Sequence, residues 1–121
     1  MEEASQCGSA VSLIPMSRCK RACFIGDQNQ LQPVITLTDE LNNKFKNTYN
    51  IPDSYDYKQN SILTTLLKID TASKFIMLEK HYRCPKKVIN FANKKYYKNL
   101  LDIENLMNDD ASLKLIDIQN T

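Results

Sequence analysis

Apolar and polar positions along this chain switch between two periods, and the switches mark out a series of short strands and helices. Met1-Glu2-Glu3 reads as the end of a strand, and Ser9 to Leu13 as a short helix or turn ended by Pro15. Arg21-Ala22-Cys23-Phe24-Ile25 is a compact apolar run bounded by Gly26-Asp27, the pattern of a buried strand that ends in a loop. Residues 38–57 are rich in Asn, Asp, Lys and Tyr and contain Pro52-Asp53. They predict an inserted polar loop with one helix at Asp39–Phe45. Ser61 to Ile69 predicts a helix capped by Ser61, with Ile62, Leu66 and Ile69 at helical spacing and Leu63 and Leu67 beside them. Phe75 to Leu78 predicts another strand. Pro85 opens a helix on which Val88, Ile89, Ala92 and Tyr96 share one face, while Lys86, Lys87, Lys94 and Lys95 face water. Leu113 to Ile118 alternates and predicts a last strand. Strands alternating with helices predict an α/β fold with a parallel sheet.

At 121 residues, 42% hydrophobic and 25% charged, the chain has the make-up of a soluble globular domain rather than of a disordered one. Its net charge of +2 is too small to argue by itself for a nucleic-acid partner. No apolar run reaches the roughly 20 residues that span a bilayer, and no leader pattern opens the chain. The expectation is a cytoplasmic protein with no membrane partner, or a nuclear one in a eukaryote. The four cysteines, Cys7, Cys19, Cys23 and Cys84, lack the paired spacing of a zinc site and read as buried reduced thiols.

Three segments carry candidate chemistry. Glu2-Glu3-Ala4-Ser5-Gln6 offers two adjacent carboxylates at a strand end. A P-loop nucleoside-triphosphatase needs such a pair, one acid for Mg²⁺ (Glu2) and one to polarise the attacking water (Glu3). Solvated terminal charges are the plain alternative. Gly26-Asp27-Gln28-Asn29-Gln30-Leu31-Gln32-Pro33 follows an apolar run. Its glycine permits a tight turn, Asp27 can order that turn, and the Gln30 amide can both donate and accept, which suits sensing a terminal phosphate. A simple polar loop is the alternative. In His81-Tyr82-Arg83, Arg83 suits stabilising charge on a transferring phosphoryl group and Tyr82 suits stacking on a base. A surface arginine beside a half-buried tyrosine is the plain reading of the same pair.

In order and company these segments resemble superfamily 1 helicases, in the branch of the nonsense-mediated-decay RNA helicase. The family's second motif, Asp-Glu-Ala-x-Gln, is matched by Glu2 to Gln6, with Glu2 in place of the aspartate. Its third, Gly-Asp-x-x-Gln-Leu-x-Pro, is matched by Gly26 to Pro33. Its Tyr-Arg motif and following helix are matched by His81-Tyr82-Arg83-Cys84-Pro85, Val88 to Asn93 and Tyr96-Tyr97. The similarity runs from residue 1 to about residue 101. It implies two tandem RecA-like domains, ATP and Mg²⁺ between them, and single-stranded DNA or RNA across both. Residues 1–73 would be the C-terminal part of the first domain with its inserted polar loop, and residues 74–121 the start of the second. By that mapping Glu2 and Glu3 serve magnesium and water, Gln30 senses the γ-phosphate, Arg83 is the arginine finger, and Tyr82 packs on adenine.

No Gly-x-x-x-x-Gly-Lys-Ser/Thr loop occurs in these residues. The expectation is therefore an incomplete core: a fragment of a motor that is poorly soluble and does not hydrolyse ATP alone, its partners including the missing phosphate-loop and second-domain segments. The alternatives are a degenerate, non-catalytic relic that binds nucleic acid or protein, and a small α/β domain with no nucleotide role.

Overall fold

The computed structural model describes residues 1–104, which form four α-helices, two short β-strands and two 3-10 turns (Ala4–Gln6 and Asp53–Tyr55), an α/β arrangement. The chain divides into two compact units, Met1–Lys74 and Phe75–Thr121. Among the described residues no helix is long and apolar enough to cross a membrane.

In the first unit, α1 (Ser9–Ser17) runs through Pro15 instead of stopping before it. Proline removes one N–H from the helix, but the last turn closes through shorter-range bonds. Arg18 N–H donates to Pro15 O at 3.1 Å and Cys19 N–H to Met16 O at 3.2 Å. The second helix, α2 (Asp39–Tyr49), extends beyond the expected Phe45 because both its ends are well closed. Thr38 Oγ1 accepts from Leu41 N–H at 3.3 Å, Asp39 and Glu40 complement the dipole of the first turn, and Asn50 ends the helix in the left-handed conformation. The third, α3 (Ile62–Ile69), starts as its sequence predicts: Ser61 Oγ accepts from Thr64 N–H at 3.2 Å.

The core of this unit is small. Ala4, Ile62 and Leu63 are buried, backed by Cys7, Met16, Phe24 and Leu66. Leu67 and Ile69 of α3 stay exposed, as do Val11, Leu13, Ile14, Leu31 and Val34. Gly8 and Ser61 form an antiparallel bridge, and Ile62 N–H donates to Cys7 O at 2.8 Å, which pins the start of α3 to the chain before α1.

The second unit contains a strand–helix–strand element. Strand β1 (Lys80–His81) pairs in parallel with β2 (Asp102–Ile103), Lys80 opposite Asp102 and His81 opposite Ile103, and α4 (Lys86–Tyr96) connects them. Among the described residues this two-stranded sheet is the only one, and neither of its strands is among those the sequence predicts. Phe75 to Leu78 is not a strand, and Phe75, Ile76 and Leu78 are exposed. Pairing starts only at Lys80, where Asp102 and Ile103 supply a ladder; β-propensity without a neighbour does not make a strand. The expected strand at Leu113–Ile118 lies outside the described residues.

On α4, Ile89 and Ala92 are half-buried and Asn93 is buried, whereas Val88 and Tyr96 are exposed, contrary to the expected four-residue face. Lys86, Lys87, Lys94 and Lys95 are exposed as predicted, and the Lys95 ammonium lies 5.6 Å from the Phe91 ring centre and 5.3 Å from that of Tyr96. Asn93 joins helix to strand: its Nδ2 donates to Leu101 O and its Oδ1 accepts from Leu101 N–H, both at 3.1 Å.

Candidate functional site

The acidic pair and the Gly-Asp turn are brought together in the first unit by main-chain pairing. The Met1 amino group donates to Cys23 O at 2.7 Å, Ile25 N–H to Met1 O at 2.8 Å, and Ala4 N–H to Ile25 O at 2.9 Å. The first two bonds are the parallel pattern of Met1 opposite Phe24. A regular ladder would next use Glu3 N–H; Ala4 donates instead, so one extra residue is looped out. Glu3 takes up the irregularity with φ 50° and ψ 39°, left-handed values that a side chain makes unfavourable. The two carboxylates therefore sit on a bulge, both exposed, and Glu3 Oε2 accepts from Gln6 Nε2 at 3.1 Å.

Neither segment forms a regular strand, because the ladder is interrupted at Glu3, and the expected burial of Arg21–Ile25 is not found. Phe24 is half-buried, while Arg21, Ala22, Cys23 and Ile25 are exposed. Pairing with Met1–Ala4 covers part of one edge of this run, and packing on the small core reaches only Phe24. For the same reason Cys23 is exposed, and so is Cys19, against the expectation of buried thiols; Cys7 and Cys84 are half-buried, and all four are free.

Gly26 follows directly. A Cβ there would come within 2.9 Å of Ser5 N, 3.0 Å of Ala4 N and 3.2 Å of Leu63 Cδ2. Glycine is required by this close backbone approach, not by a left-handed turn. Asp27 then orders the loop, as its sequence suggests. Its Oδ1 accepts from Asn29 N–H at 2.9 Å, its backbone oxygen from Gln30 N–H at 3.1 Å, and its Oδ2 from Gln30 Nε2 at 3.0 Å. Gln32 Nε2 closes the loop onto the carbonyls of Gln28 (3.3 Å) and Gln30 (3.4 Å). The side-chain bond from Gln30 to Asp27 was not anticipated, although their three-residue spacing across a turn is a signal for it.

Tyr82 and Arg83 follow β1 in the second unit, and both are exposed. His81 Nε2 accepts from Cys84 N–H at 2.9 Å, which folds the chain into a turn around them before Pro85 caps α4. Glu104 forms an ion pair with Lys80 across the strand pair. A hydrogen bond to Glu104 is the largest influence on the Tyr82 phenol and, with burial and the carboxylate charge, raises its pKa. The Glu104 carboxyl is lowered, first by Lys80 and then by Tyr82.

The polar segment before α3 holds a network that sequence reading missed. Asp56 is buried at 5% exposure. It accepts from Asn42 Nδ2 (3.0 Å), Lys46 Nζ (2.7 Å) and the N–H groups of Lys58 (3.0 Å) and Gln59 (3.2 Å). Lys46 also reaches Asp53 at 2.8 Å, and Lys58 pairs with Asp39 at 2.6 Å. Lys68 Nζ meets Asn60 Oδ1 at 2.6 Å, tying the segment to α3. No single residue type announces this cluster, because its members come from both ends of the segment.

Among the described residues no three His, Cys, Asp or Glu side chains gather as a metal-binding group. A Mg²⁺ ion bound mainly through phosphate oxygens and water needs only one or two carboxylates, and Glu2 and Glu3 are hard oxygen donors that are open to solvent. No protein-family model matches the chain, and no curated protein or solved structure matches it either.

Proposed function

We propose that these residues form part of the nucleotide-handling core of an ATP-dependent helicase or translocase acting on single-stranded DNA or RNA. The observation that carries this reading is the pairing of Met1–Ala4 with Cys23–Ile25. It sets Glu2-Glu3 and Gly26–Gln30 at the same, C-terminal end of two parallel segments. In α/β proteins, ligands bind at that end of a sheet. The RecA-like identity of the two units belongs to the same proposal.

In this reading Glu3 polarises the attacking water, and Gln30 contacts that water and a terminal phosphate oxygen. Arg83 neutralises charge developing on the phosphoryl group, and Tyr82 packs on the adenine ring. Glu2 would hold Mg²⁺, which supplies charge neutralisation on the phosphates when bound. The 121 residues contain no phosphate loop, so hydrolysis requires donors from elsewhere.

The test is nucleic-acid-stimulated ATP hydrolysis by the complete polypeptide that carries these residues. Arg83→Ala and Gln30→Ala are each expected to lower kcat by about 100-fold or more. Wild-type turnover in both variants would refute the assignment.

A further inference from the structure

We propose that Asp27 is a positioning residue that fixes the orientation of the Gln30 carboxamide, leaving its carbonyl oxygen and one N–H to meet a water and a phosphate oxygen. This rests on the nucleotide reading above. An ionised carboxylate only accepts hydrogen bonds, so only the nitrogen end of the amide can face Asp27 Oδ2, at 3.0 Å. The usual twofold ambiguity of a glutamine is thereby removed. Asp27 itself cannot swing freely, because Oδ1 holds Asn29 N–H at 2.9 Å and the main chain closes at 3.1 Å from Gln30 N–H.

Gln30 is otherwise an exposed side chain with several rotatable bonds. Holding it on a turn that Gly26 seats against Ala4 and Ser5 sets its direction before any nucleotide arrives. Preordered groups avoid the entropy loss of ordering during the reaction.

Asp27→Asn separates the two roles of the carboxylate. The asparagine oxygen can still accept from Asn29 N–H and keep the turn, but its NH₂ then faces residue 30. The Gln30 amide must turn over to offer its oxygen to that donor. Two measurements on the complete polypeptide test this. In ¹⁵N NMR, the side-chain amide pair absent from Gln30→Ala should shift in Asp27→Asn while the backbone spectrum is retained. An unmoved pair would overturn the proposal.

In nucleic-acid-stimulated ATP hydrolysis, Asp27→Asn should lower kcat about tenfold with KM for ATP unchanged. It should add nothing further in the Gln30→Ala background. Independent, multiplying effects would show that Asp27 acts elsewhere and would overturn the positioning role while the nucleotide reading stands. Wild-type kcat in Gln30→Ala would overturn both.

Discussion

Residues 38–60 and the segments 1–6 and 23–33 are all rich in polar side chains, yet they use them differently. In the former, charged and amide groups turn inward on Asp56 and are consumed by one another. In the latter, the main chain does the holding and Glu2, Glu3 and Gln30 remain exposed. Some polar side chains there are engaged as well: Asp27 holds Asn29 and Gln30, Gln6 meets Glu3, and Gln32 closes onto two carbonyls. Polarity alone therefore does not mark a site. Polar groups left open on a closely packed backbone are the ones available to a ligand.

The largest effect should come from breaking the inward-turned region. Asp56→Ala leaves Lys46, Asn42 and two amides without a buried acceptor and should cost about 3 kcal/mol in urea unfolding of the chain. A loss below about 1 kcal/mol would place this segment's stability elsewhere.

The pH profile sharpens the same point. Burial pushes the Asp56 carboxyl up, but bonds from Lys46, Asn42, Gln59 and Lys58 outweigh it, and its pKa lies below the ordinary 3.8. Its contribution is thus complete above 3.8 and is lost as pH falls through the lower folded value. Lys46 is raised above 10.5, first by Asp53 and then by Asp56, so its share is lost as pH rises through its folded value. Asp56→Asn should flatten the acid limb of stability measured by denaturant midpoint.

Gly26→Ala probes the region held by its main chain. The added methyl meets two backbone nitrogens at 3.0 Å or less, neither of which is a flexible side-chain end. About 2 kcal/mol of destabilisation is expected by calorimetry or urea titration. Gln30→Ala should be the mildest, within about 0.5 kcal/mol of wild type in the same titration, because its side chain is exposed. A large loss there would make Gln30 a structural residue and erase the contrast.

Features fixed by local chemistry were legible in the sequence. Ser61 caps α3, Pro85 precedes α4, and Asp27 orders its turn, because each depends on atoms a few residues away. Features that depend on a distant partner were not. Arg21–Ile25 and Phe75–Leu78 have the apolar content of buried strands, but the described residues give the first a partial neighbour and the second none. The segment expected to be mostly loop carries a full helix, since Thr38 and Asn50 close both its ends and Asp56 binds its middle. Within the candidate site, the acidic pair and the Gly-Asp turn could be read directly. The bulge at Glu3 could not, because it is defined by which amide reaches Ile25.

Asn93 grips the main chain of Leu101, not its side chain. What the end of α4 recognises is accordingly a count of residues, and almost any amino acid at 101 would be held as well. The helix works as a ruler: adding or removing a residue between 93 and 101 would change which peptide it captures and slide β2 along β1, turning every side chain of the returning strand to the opposite face.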